Sequence, residues 1–233
     1  MPEIIIIHSL TEDLRFLSKI KKTIPQHYNE TKRIILKCDS ASHDQALSII
    51  RNSTEEDLVI FLGHGRTDGL FGCSFKASNE QHPRYFKYGI WIGKENYNIF
   101  EHKKIFCLAC NSNYIGSTIV NKFDTQVFLG FNDVEFDYPK KNYYKPNKTV
   151  ESIAKYEFVR IVKNSLSESI KNSYSFYQCA SLLRLRINKT CDHYILDFKE
   201  NKSCKYMLKV ANCLNLIKEG IMVWGDGNLP LIC

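Results

Sequence analysis

Asp57-Leu58-Val59-Ile60-Phe61-Leu62-Gly63-His64-Gly65 is the stretch on which the fold turns. Its apolar run holds residues of both parities, so an extended chain here presents oil to both sides, as a strand does inside a parallel sheet covered by helices on each face. Outward toward the N-terminus, Ser42 to Ile50 reads as a helix, Arg33 to Cys38 as a strand, and Leu10, Leu14, Leu17 and Ile20 recur at helical spacing, with Ser9 or Thr11 as the cap. Glu3 to Ile7 is a β-branched run suited to another buried strand. Toward the C-terminus, Lys104 to Ala109 is a fourth strand, Ser117 to Phe123 a short helix and Thr125 to Phe131 a fifth strand. Buried strands alternating with helices predict an α/β fold, a central, mostly parallel sheet flanked by helices.

The rest is less periodic. Gly63 to Gly93 is Gly-rich and aromatic with hairpin character, and Asn132 to Asn147, with Pro139 and Pro146, reads as a surface loop. Helices are expected from about Val150 to Leu166, Ser173 to Ile187 and Tyr206 to Ile217, a β-like stretch at His193 to Phe198 and a last strand at Gly220 to Trp224. Residues 1–137 are expected to form the catalytic core, and 138–233 its helical and β completion in the same domain. No internal repeat is visible.

The 233 residues are 44% hydrophobic and 24% charged, with 14 Phe and 13 Tyr, which excludes a disordered or low-complexity chain. The net charge of +7 is spread in short clusters such as Lys19-Ile20-Lys21-Lys22 and Lys140-Lys141, which read as solvated faces, so no nucleic-acid partner is expected. The nine cysteines, an odd number, lie mostly on apolar stretches and fit reduced thiols in the cytoplasm. Met-Pro-Glu-Ile-Ile-Ile-Ile-His lacks a basic segment and has too short an apolar run for a leader or a membrane span, so neither is expected.

Two reactive residue types follow two successive core strands: His64 after Leu62-Gly63 and Cys110 after Leu108-Ala109, 46 residues apart. In an open parallel sheet, catalytic groups gather at the carboxyl ends of the strands. If the two strands are adjacent, the pair is a thiol nucleophile beside its base, just ahead of a helix N-terminus. Gly65, lacking a Cβ, lets its backbone N–H approach a substrate carbonyl, and with the N–H of Cys110 it is a candidate oxyanion hole. No third, orienting carboxylate is identifiable.

At these residues the chain resembles the caspase-like cysteine peptidases of clan CD, and among them the CHAT-type and related prokaryotic homologues. The resemblance rests on an apolar strand before Gly63-His64-Gly65 and another before Leu108-Ala109-Cys110-Asn111-Ser112. In caspases, too, the His precedes the Cys by about 50 residues. Val127-Phe128-Leu129-Gly130-Phe131 and the turn Trp224-Gly225-Asp226-Gly227 are similar as well. The likeness implies a caspase-like three-layer fold, endopeptidase activity on a protein substrate and no cofactor. Small prokaryotic members act in stress or antiphage defence, for example on a gasdermin-like or toxin partner. With little room in this chain for a sensor, regulation is expected from a separate activator or sensor protein, from processing at a loop such as Asn132 to Asn147, or from dimerisation. Departures bear on specificity: Leu108 stands where metacaspases carry an acidic residue, and Asn111-Ser112 follows the Cys where animal caspases have a Gly two residues on. Asp133, Glu135 and Asp137 are candidates to recruit a basic side chain beside the scissile bond, or are a solvated acidic loop.

Other readings stay open. A catalytically silent caspase-fold or flavodoxin-like interaction module, with Cys110 structural, is the alternative to an enzyme. Cys107 and Cys110 have Cys-x-x-Cys spacing, but positions three apart on a strand face opposite ways and no second pair completes four ligands, so no metal is expected. His8 ends the first strand, where it either borders the active-site rim or, the expected reading, is a satisfied edge histidine. His43, His82, His102 and His193 have no partner that spacing names. Cys73, Cys179, Cys191, Cys204, Cys213 and Cys233 read as core or surface fillers. Asp68-Gly69 and Asp226-Gly227 read as turns, and no glycine-rich phosphate loop is present.

Overall fold

Four parallel strands form the middle of the molecule. The computed structural model describes residues 1–9, 11–24, 28, 30–37, 39–73, 90–134, 136, 148–200 and 205–232. β1 (Ile4–Ser9), β3 (Leu58–Leu62), β7 (Lys104–Leu108) and β8 (Val127–Gly130) are buried throughout. Each fully buried isoleucine of β1 contributes about 1.5–3 kcal/mol of apolar transfer free energy. β2 (Thr31–Leu36) flanks β1 on the outside, and β9 (Met222–Gly225) closes the far side antiparallel to β8. The order is β2-β1-β3-β7-β8-β9.

Side chains of one parity, such as Ile60, Leu62, Phe106 and Leu108, enter a core with a 3₁₀ turn (Glu12–Leu17), α1 (Ser18–Thr23) and three long helices. These are α4 (Lys148–Lys171), α5 (Phe176–Glu200) and α6 (Lys205–Glu219). The opposite parity, including Phe61, Ile105 and Cys107, packs on α2 (Ser40–Asn52), a 3₁₀ turn at Tyr97–Phe100 and α3 (Ser112–Phe123). The result is three layers, helices on both faces of a six-stranded, mostly parallel sheet. A small antiparallel sheet of β4 (Gly65–Arg66), β5 (Gly69–Phe71) and β6 (Ile90–Gly93) follows β3, in keeping with the expected hairpin character of that segment.

Local chemistry sets the ends. Asp39 caps α2 by accepting from the Ser42 N–H at 2.7 Å. Buried Asp57 accepts from the Glu3 and Thr54 N–H groups at 2.6 Å each, pinning the start of β1 to the turn before β3.

Several expectations need correction. His193 to Phe198 is not β-like but belongs to the last turns of α5, whose apolar stripe extends beyond Ile187. Glu12–Leu17 is a 3₁₀ turn rather than the start of an α-helix, and neither proposed cap serves it: Thr11 sits at the cap position without a side-chain bond to the turn, and Ser9 donates to the Gly72 carbonyl at 2.9 Å. His8 is not at an edge, because β1 lies between β2 and β3. α3 starts at Ser112, five residues before the expected start. Most of Asn132 to Asn147 lies outside the described residues. Phe136, within it, is buried in the core.

Candidate active site

Register decides which rim residues meet. β3 and β7 pair in parallel from Leu58 with Lys104 to Leu62 with Leu108, a constant offset of 46 residues. The ladder runs one step further, since the Gly63 N–H donates to the Leu108 carbonyl at 3.1 Å. His64 and Cys110 carry the same offset and leave the sheet together at its carboxyl end.

Gly65 is held against the second of these strands. A Cβ built on it would lie 2.6 Å from the Cys110 carbonyl oxygen and 3.1 Å from the Ala109 Cβ, so only glycine fits this approach. Gly65 opens β4 opposite Leu70, and the Phe71 N–H donates to the His64 carbonyl at 2.9 Å. That bond makes Gly65 and Leu70 a non-hydrogen-bonded pair, so the Gly65 N–H points away from β5.

Polar groups from three elements surround the pair. The Thr11 hydroxyl, where β1 gives way to the 3₁₀ turn, is 3.3 Å from His64 Nε2. The Val134 N–H donates to the Cys110 sulfur at 3.4 Å. Asn111, left-handed at φ 57°, donates its Nδ2–H to exposed Asp133 at 2.7 Å. Glu135 and Asp137 lie outside the described residues. Ser112 donates to the Cys107 carbonyl and accepts from the Phe131 N–H, each at 2.9 Å, which fixes α3 directly behind Cys110.

Six cysteines fall among the described residues, and Cys110 is the one that is not buried. Burial pushes the Cys179 thiol up to about 12 and that of Cys191 up to about 11, and raises Cys107 too, so these three are poor nucleophiles at neutral pH. Cys107 faces the α2 and α3 side of the sheet. Among the described residues no group of three or more His, Cys, Asp or Glu gathers as metal ligands, and no helix is long and apolar enough to cross a membrane.

The other histidines now have surroundings. His8 is fully buried, its Nε2 3.3 Å from the Leu14 carbonyl, while its Nδ1 is buried without a hydrogen-bond partner among the described residues. It is therefore not a satisfied histidine. Loss of solvation, with Lys21 nearby, lowers its pKa to about 4. His43, for which spacing named no partner, reaches the Asp39 carbonyl through Nδ1 at 2.6 Å and accepts from the Cys73 N–H at 3.2 Å. His102 lies 3.4 Å from Asp124, and His193 lies 3.3 Å from Asp197. His82, Cys204 and Cys233 lie outside the described residues.

Sequence reasoning missed Thr11 and Val134. Each reaches the rim through tertiary folding alone, and the only trace in the chain is that Thr11 follows a core strand. Neither the family models nor the curated proteins contain a match to this chain.

Proposed function

We propose that the chain is a caspase-like cysteine endopeptidase in which Cys110 is the nucleophile and His64 the base. The observation that carries this reading is the shared register of β3 and β7, which puts a histidine and a partly exposed cysteine at equivalent steps beyond the carboxyl ends of two neighbouring strands. His64 takes the proton from the Cys110 thiol as the sulfur attacks a peptide carbonyl carbon, then gives it to the leaving amine. Water, deprotonated by His64, cleaves the thioester and restores the thiol. The Gly65 N–H, directed away from β5, and the Cys110 N–H serve the developing oxyanion. When the Thr11 hydroxyl accepts from Nε2–H, His64 keeps the Nδ1 lone pair for the thiol proton. The Val134 N–H stabilises negative charge on the sulfur. Asp133, tied to Asn111 beside the nucleophile, favours a basic side chain ahead of the scissile bond.

Labelling with a peptide acyloxymethyl ketone, followed by mass spectrometry, tests the assignment. The parent is expected to acquire one adduct at Cys110, Cys110→Ala none, and His64→Ala to label about 100-fold or more slowly. If neither substitution lowers labelling or cleavage of a peptide library, the peptidase reading fails and a silent interaction module takes its place.

A further inference from the structure

On the helical face that carries α1, a groove of about 460 Å³ opens between the segment Phe16–Lys19 and the stretch Ser152–Lys163 of α4. That is the size of a small-molecule site, which falls in the range of about 300–1,000 Å³. Phe16, Lys19, Lys155, Tyr156, Arg160 and Lys163 give it four cations and two aromatic rings. Tyr156, Arg160 and Lys163 stand at i, i+4 and i+7, so one stripe of α4 presents them together.

The charges do not cancel. Glu151 pairs with Lys155, and Glu157 with Arg160. Among the described residues Lys19 and Lys163 have no carboxylate at ion-pair distance, which leaves two of the four cations unbalanced. Lys19 Nζ lies 5.6 Å from the centre of the Tyr156 ring, and Tyr156 as a whole is 59% exposed, so it is open to a ligand. An acidic peptide answers the cations but brings no flat, charged heterocycle to match both rings at once. A bare phosphate would leave both rings unused. Ring stacking plus clustered cations suits a ligand with a flat heterocycle and several negative charges, Arg160 presenting a planar fork and the lysines point charges. No glycine-rich loop is needed, since side chains supply every contact.

We propose that this groove binds a nucleoside polyphosphate, its base against Tyr156 and Phe16 and its phosphates among Lys19, Lys155, Arg160 and Lys163. The site is wired to the rim. Lys155 Nζ sits 5.3 Å from the Phe16 ring centre and 5.9 Å from that of Phe136, and the two rings meet edge to face at 5.6 Å. Phe16 shares its turn with Thr11, which touches His64, and Phe136 lies two residues from Val134, which donates to Cys110. A polyanion that draws Lys155 from Glu151 therefore acts on both supports of the dyad. This coupling rests on the peptidase reading; the binding does not.

Calorimetric titration of the full chain with magnesium-free ATP, tripolyphosphate and adenosine tests binding, with thermal melts checking that each variant folds. ATP is expected to bind, tripolyphosphate more weakly and adenosine not at all. The double variant Lys19→Glu/Lys163→Glu is expected to lose about tenfold or more in affinity. Tyr156→Ala is expected to weaken ATP several-fold, on the order of one stacking contact, and to leave tripolyphosphate unchanged. Absence of ATP binding, or a folded double variant that binds like the parent, overturns the site. Equal affinity for tripolyphosphate and ATP, with Tyr156→Ala silent, overturns the nucleoside assignment. The rate of Cys110 alkylation by iodoacetamide, with and without saturating ATP, tests the coupling, with a change of about fivefold expected. An unchanged rate in a chain that binds ATP severs the groove from the rim. A chain that binds ATP while its Cys110 resists alkylation counts against the peptidase reading and leaves the groove standing.

Discussion

His8 is a neutral imidazole sealed in the middle of the sheet, and acid is what will find it. With its folded pKa lowered to about 4 from an ordinary value of 6.5, the folded state binds fewer protons than the unfolded chain between those limits. Its stabilising contribution is full above about pH 6.5 and is lost as pH falls toward 4, amounting to about 2 kcal/mol between pH 7 and pH 5. Urea unfolding at those two pH values should show that loss in the parent and a clearly smaller one in His8→Gln; equal losses would mean that folded His8 takes up its proton as readily as the unfolded chain does. Single residues were legible only where their chemistry travels with a strand. His64 and Cys110 stand out because each ends an apolar run, whereas the Thr11 hydroxyl and the Val134 N–H are brought to them by turns whose direction no local pattern encodes. The reading of His8 went astray for a related reason: a parity pattern reveals burial, but not that β2 would add outside β1 and make β1 internal.

Among the elements, β4 shows how narrow the tolerance at the rim is. Gly65→Ala would push a methyl to within 2.6 Å of the Cys110 carbonyl oxygen, a backbone atom that cannot swing aside. We expect a loss of about 1–3 kcal/mol in urea unfolding together with slower alkylation of Cys110. Parent-like stability and labelling would mean that the two segments stand further apart than described. The parallel strands were readable because burial on both faces leaves an uninterrupted apolar run. The end of α5 was not: Tyr194-Ile195-Leu196 beside Phe198 imitates strand alternation, yet Cys191 and Tyr194 lie three apart on a helical stripe, Cys191 bonded to α6 and Tyr194 to α4. The 3₁₀ turn at Glu12–Leu17 keeps Leu14 and Leu17 inward with a period of three, which spacing alone does not separate from an α-helix.

At the scale of the whole molecule, a series of edge-to-face rings runs from Phe16 through Phe136, Phe158 and Phe131 to Phe106 in β7. Phe158, fully buried between two of them, joins α4 to both the sheet and the segment beneath Cys110. Phe158→Ala should lower global stability by about 3–5 kcal/mol, read as a shift of the urea midpoint at unchanged slope. A shift below about 1 kcal/mol would show that the rings do not bind the layers together. The antiparallel seam between β8 and β9 has a consequence of another kind. Its nearest register pair, Gly130 and Met222, is 92 positions apart, with all three long helices between them. A contact of such range forms late, because the entropy of closing its loop is lost before the pairing returns anything. Until it zips, β8 offers a bare hydrogen-bonding edge to any neighbouring chain, so crowding of half-folded molecules, more than heat, is the hazard this architecture must outrun.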